Sequence, residues 1–204
     1  MGVGISKVLP NLYVGGEEII VMESYSFFAE NNVTHVLSLC DSSVPDCLPL
    51  TKLHLNVVDS PDYDIAVHFP EVVDFIHSAR TKNEGIFVHC KAGVSRSATV
   101  IIAYIMSALN LSTKASFEHV KRCRSKISPN DGFLRQLILF GREYSEELHK
   151  YLKEKYEYKD LLIMDKKYVK ALERKCASNG TVSNDTKVPR RTEVSVGMSS
   201  KNED

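Results

Sequence analysis

The chain has 204 residues, 43% of them hydrophobic, and its 26 basic side chains balance 26 acidic ones. That length and composition suit one domain with a proper core, and the even charge excludes a nucleic-acid partner recruited by a global positive field. No apolar run approaches the roughly 20 residues of a membrane span.

In chain order, Val8-Leu9 and Leu12-Tyr13-Val14 read as a strand pair interrupted by Pro10-Asn11. Glu23 to Glu30 reads as a helix stopped by Asn31-Asn32, and Thr34 to Leu39 as a buried strand. Leu53-His54-Leu55-Asn56 is strand-like. Phe69, Val72, Val73 and Ile76 form the apolar stripe of a helix over Val67 to Ala79. Gly85 to Val88 is short and β-prone, and Ala98 to Met106 is apolar enough for a buried helix. Ser112 caps a helix running to Cys123, and Phe133, Leu137 and Phe140 mark another. Alternating strands and helices predict an α/β fold: a central, mostly parallel sheet flanked by helices on both faces. Tyr144 to Cys176 is charge-laced with scattered leucines and tyrosines, which suits packed edge helices or a partner-binding extension. Residues 177–204 are rich in Ser, Thr, Asn and Lys and read as a disordered tail. The domain expectation is a catalytic unit over 1–155, a charged helical extension over 156–176, and the tail.

The most informative run is His89-Cys90-Lys91-Ala92-Gly93-Val94-Ser95-Arg96-Ser97, set between the β-prone stretch and the buried helix. Unpaired N–H groups and the positive end of the helix dipole both favour an anion there. The chain from Cys90 to Arg96 is long enough to curl once around a phosphoryl group. Gly93 sits where a tight curl needs positive φ. The N–H groups of Lys91, Ala92, Gly93, Val94, Ser95 and Arg96 can then point inward. Arg96 offers a planar fork for two phosphate oxygens. A cysteine at the mouth of such a nest holds negative charge readily, so Cys90 is the candidate nucleophile. Ser97 places a hydroxyl within reach of the Cys90 sulfur when that sulfur becomes a leaving group.

The pattern His-Cys-x-x-Gly-x-x-Arg-Ser resembles the signature of cysteine-dependent protein phosphatases. Ala103-Tyr104-Ile105-Met106 is similar to the helix signature of their dual-specificity branch. Met1 to Gly15 resembles the start of small, N-myristoylated atypical dual-specificity phosphatases. The likeness covers about residues 1 to 155. It implies a protein-tyrosine-phosphatase-like fold and hydrolysis of phosphotyrosine and phosphoserine or phosphothreonine through a phosphocysteine. The implied substrates are phosphorylated proteins, with signalling kinases among the partners.

Such chemistry needs a proton donor for the leaving oxygen. Asp59 follows a strand-like segment in a loop broken by Pro61, and it matches the family's general acid; Asp62 and Asp64 are rivals. The expectation is that the acid's strand and the Cys90 strand end side by side. His89, at the end of an apolar strand, is expected to be buried and to position Cys90. Asn130, in Pro129-Asn130-Asp131-Gly132, reads as a turn into a helix and matches a family asparagine that braces the phosphate loop. No metal and no cofactor are expected: the cysteines at 40, 47, 90, 123 and 176 show no Cys-x-x-Cys pair.

Met1-Gly2-Val3-Gly4-Ile5-Ser6 fits the myristoylation pattern at Gly2. One acyl chain anchors only marginally, and Lys7 is the one basic residue nearby. The odd cysteine count and the lack of a secretory leader point to the cytoplasm. The expected location is therefore cytoplasmic, partly at the cytoplasmic face of the plasma membrane, with reversible association. Two other functions use the same loop. One is a phosphoinositide or RNA 5′-phosphatase, although Lys91 is the only lysine in the loop. The other is a non-catalytic phosphoprotein scaffold, which would not need Cys90, Arg96 and Asp59 together.

Overall fold

Ile86-Phe87-Val88 has no polar alternation, the pattern of a strand covered on both faces. In the structure, a computed structural model that describes residues 4–19, 24–41 and 49–178, this run forms the middle of a five-stranded sheet. The strands are β1 (Ser6–Leu9), β2 (Leu12–Gly16), β3 (Val33–Ser38), β4 (Thr51–His54) and β5 (Gly85–Cys90). Their order is β1-β2-β5-β3-β4. β1 and β2 are antiparallel across a turn in which Asn11 takes φ 61°, and the other pairings are parallel.

Helix α1 (Ser24–Glu30) covers one face, where Phe28 packs with Tyr13, Val36 and Phe87. The larger core lies on the other face, under α2 (Phe69–Thr81) and α3 (Arg96–Leu109). Every residue of α3 from Ser97 to Leu109 is buried, so the helix runs through the core and not along a surface. It ends where Asn110 turns left-handed, φ 54°. Beyond it come α4 (Thr113–Cys123), α5 (Asp131–Glu143), α6 (Ser145–Lys155) and α7 (Lys159–Ser178). The Ser112 hydroxyl accepts the Ala115 N–H at 3.2 Å and caps α4.

Two expectations need correction. The α2 helix starts at Phe69, not Val67, because Ala66–His68 form a tighter 3₁₀ turn and Pro70 suits only a first helical turn. The strands carrying Asp59 and Cys90 are not neighbours: β3 lies between β4 and β5. The chain leaving β4 must cross the end of β3, where the Leu55 N–H bonds the Ser38 carbonyl, before Asp59 reaches the loop.

The charge-laced C-terminal segment is two helices, α6 and α7. The second is fastened by a buried ion pair: Arg80 donates to both Asp165 oxygens, at 2.9 and 2.6 Å, to Tyr104 at 2.7 Å, and to the Pro10 carbonyl. Asp165 is 2% exposed. With every partner present such a pair is tolerated, whereas removing one partner leaves a buried charge. The α7 helix continues through Ala177 and Ser178, past the compositional break at 176, because serine and alanine can extend a helix already docked. Gly2, Cys47 and residues 179–204 lie outside the described residues. Among the described residues no helix is long and apolar enough to cross a membrane.

Candidate active site

The central strand β5 delivers Cys90 to the end of the sheet, beside Gly15 and Gly16 of β2. The chain then curls. Gly93 has φ 63°, and a Cβ there would lie 2.4 Å from the Gly15 carbonyl oxygen, so only glycine fits. The carbonyls of the loop are tied outward. The Glu17 N–H holds Lys91 O at 3.2 Å, the Ser128 N–H holds Val94 O at 2.9 Å, and the Thr99 N–H and hydroxyl both hold Ser95 O at 2.9 Å. Arg124 Nε holds Gly93 O at 2.8 Å. A trans peptide points its C=O and the following N–H in opposite directions. The N–H groups of Ala92, Val94, Ser95 and Arg96 are thereby turned toward the inside of the curl.

The result is a cup of about 540 Å³, open to solvent. Cys90, 1% exposed, sits at its base, and the backbone from Lys91 to Arg96 forms its wall. Asp59, Ser128 and Asn130 stand on the rim. The Cys90 sulfur is 3.3 Å from the Ser97 hydroxyl. Arg96 donates from Nη1 to the Val57 carbonyl at 3.0 Å, which fixes the fork. Its buried Nε makes no hydrogen bond among the described residues and lies 3.7 Å from Asp59 Oδ2.

Asp59 Oδ1 accepts from the Ser95 hydroxyl at 2.7 Å and from Asn130 Nδ2 at 3.0 Å. Both donors are spent on that oxygen, so Oδ2 faces Arg96. Asn130 does three things. Its Oδ1 accepts the Phe133 N–H at 2.9 Å and caps α5, its Nδ2 steers Asp59, and its N–H reaches the Ser95 hydroxyl at 3.3 Å. The structure therefore brings Cys90, Arg96, Ser97, Asp59, Asn130 and the whole loop together. Asp62 and Asp64 are exposed and do not line the cup.

His89 is fully buried, 2.6 Å from the Ser38 hydroxyl and 3.9 Å from the Cys40 sulfur. Burial pushes its pKa from 6.5 down to about 4, against a smaller opposing pull from the Cys90 backbone. It is neutral near pH 7, which suits a positioning role better than a base. Buried His77 is lowered to about 4 for the same first reason. An unfolded chain takes up these protons near pH 6.5, whereas the folded chain resists until about 4. The stability that follows is present above pH 6.5 and is lost as pH falls toward 4, by up to about 3 kcal/mol per histidine. Urea midpoints are expected to drop between pH 7.5 and pH 5, and His89→Asn should flatten that slope. Equal slopes for the variant and the parent would contradict this.

Two site residues escape the sequence reading. Arg124 lies outside every recognisable motif. Gly132 looks like an ordinary turn glycine, but a Cβ there would meet the Pro61 carbonyl oxygen at 1.9 Å. The start of α5 therefore presses on the loop that carries Asp59. Gly132→Ala must displace that loop, and since misplacing a catalytic group by 1 Å can cost about 10²-fold, kcat is expected to fall between about ten- and a hundredfold. Unchanged kinetics on an alkyl phosphate would refute this role.

A thiol at the base of an amide-lined cup, an arginine in its wall and a carboxylate on its rim define the site class: thiol-dependent phosphoryl transfer. The family model for the dual specificity phosphatase catalytic domain matches residues 12–143, and the chain belongs to that family of protein phosphatases. It is 41% identical over 157 residues to dual specificity protein phosphatase 22-B of Danio rerio, covering 77% of this chain and 85% of that one. It is 40% identical over 157 residues to dual specificity protein phosphatase 22 of Homo sapiens, with 76% and 84% covered. The crystal structure of DUSP15 superposes with a TM-score of 0.72 at 35% identity, covering 76% of this chain and 99% of that one.

Proposed function

We propose that the chain hydrolyses phosphotyrosine and phosphoserine or phosphothreonine on proteins, with Cys90 as nucleophile, Arg96 as phosphoryl clamp and Asp59 as general acid and base. The Cys90 thiolate attacks phosphorus, and the bond from phosphorus to the ester oxygen breaks. The proton on Asp59 Oδ2 goes to that oxygen, because Oδ1 is occupied by Ser95 and Asn130. Inward N–H groups and the Arg96 fork take up the charge on the phosphoryl oxygens, which grows in the transition state. Water then attacks the phosphocysteine, Asp59 receives its proton, and the sulfur leaves while the Ser97 hydroxyl donates to it. Phosphate departs and the thiolate is restored.

The observation that carries this reading is the convergence of Cys90, Arg96 and Asp59 on one cup, with Arg96 Nε 3.7 Å from Asp59 Oδ2. A scaffold would have no use for that combination. The test is a turnover panel of phosphotyrosine and phosphothreonine peptides, a phosphoinositide and a 5′-triphosphorylated RNA. Turnover of both peptides is expected to exceed that of the lipid and the RNA, and the reverse order would move the chain to the other branches.

Signalling kinases are proposed among the partners, and reversible association with the cytoplasmic face of the plasma membrane is proposed to run through a myristoyl group on Gly2. The support is the Gly2 to Ser6 pattern with Lys7 as the only adjacent base, which suits partial and reversible attachment. Gly2→Ala is expected to move the membrane fraction into the cytosol with aryl phosphate turnover unchanged. Identical partitioning of the two forms would refute the anchoring.

A further inference from the structure

Arg124 follows directly on α4 and is only 4% exposed. Burying a guanidinium is costly unless its donors are used. Here they hold carbonyls and a hydroxyl: Nε takes Gly93 O at 2.8 Å, and Nη1 takes Gly4 O at 2.6 Å and Ser6 Oγ at 3.2 Å. Its Nη2 is buried with no hydrogen bond among the described residues. One planar fork thus spans the phosphate loop and the start of β1. The Gly93 tie is also the one that turns the Val94 N–H into the cup. Gly93 has a left-handed φ of 63°, so the chain there follows no helix or strand that would fix its carbonyl. The Arg124 charge is electrostatically coupled to Cys90: burial lowers its pKa, and Glu18 and Cys90 pull it back.

We propose that Arg124 is a positioning residue that sets the Gly93–Val94 peptide of the phosphate loop and couples it to Ser6 at the start of β1 and to Gly4 just before it. The inference rests on the phosphatase reading and adds a regulatory path to it. The segment that carries the acylation pattern begins two residues from a carbonyl held by the same side chain that shapes the anion cup.

Arg124→Met, Arg124→Lys and Ser6→Ala in the full chain, made in bacteria, test it through orthovanadate binding and through kcat and KM on an aryl phosphate, well below each melting temperature. Arg124→Met is expected to weaken vanadate and lower kcat by about tenfold or more, because one inward donor loses its support. Arg124→Lys keeps the charge and should recover part of the vanadate affinity. Ser6→Ala should weaken vanadate by about twofold in the parent and have no effect in the Arg124→Met background, the non-additivity of residues acting through one link. A lower melting temperature for Arg124→Met with vanadate affinity and kcat unchanged would reduce Arg124 to a packing role and overturn the proposal. Should Arg124→Met not fold, Ser6→Ala and Arg124→Lys decide, and parental vanadate affinity in both overturns it. Wild-type protein that neither binds vanadate nor turns over the aryl phosphate would instead overturn the phosphatase reading.

Discussion

Cys90→Ser is expected to lower turnover of an aryl phosphate by at least about four orders of magnitude. A serine hydroxyl stays protonated near neutrality and is a far weaker nucleophile than a thiolate. The fold should survive, because the substitution changes one atom at a buried position whose neighbour, Ser97, can bond either oxygen or sulfur. Phosphate and vanadate should still bind, since the N–H groups and Arg96 remain. The check is steady-state kinetics beside a binding titration on the same sample. Residual activity within tenfold of the parent would remove Cys90 from the mechanism.

Asp59→Asn is expected to separate substrates by leaving group. A phenolate departs tolerably without a proton and a serine alkoxide does not. Aryl phosphates should slow by about tenfold and alkyl phosphates by about 10²–10⁴-fold, the usual span of general acid catalysis. Asparagine can still accept from Ser95 and Asn130, so the geometry of the loop should hold. The pH profile should also lose its alkaline limb, where the acid is deprotonated. A variant that keeps the full bell would assign the proton to another group, with Asp62 first to be examined.

The phosphate loop was legible because its chemistry is local. The nucleophile, the glycine at φ 63° and the arginine lie within seven consecutive residues between a strand and a helix. The α/β class and the buried α3 were legible for a similar reason: apolar runs declare burial without their partners. What depends on residues far apart was not. Strand order is a tertiary property, and the sequence offered no sign that β3 would stand between β4 and β5. Asp165, within a charge-laced helix, reads as one more solvated carboxylate until Arg80 arrives from 85 positions away. Gly132 looks like a turn residue until Pro61 is placed against it, and Arg124 has no local signature because its partners, Gly4 and Gly93, come from two other segments.

On this mechanism every phosphoryl group passes through Cys90. Rapid acid quench of the Asp59→Asn variant, mixed with a ³²P-labelled phosphotyrosine peptide, followed by peptide mapping, measures this directly. Transient label is expected on the peptide containing Cys90, bound as a thiophosphate ester and absent from Cys90→Ser. Label on another residue, or turnover with no labelled protein at any time, would contradict it.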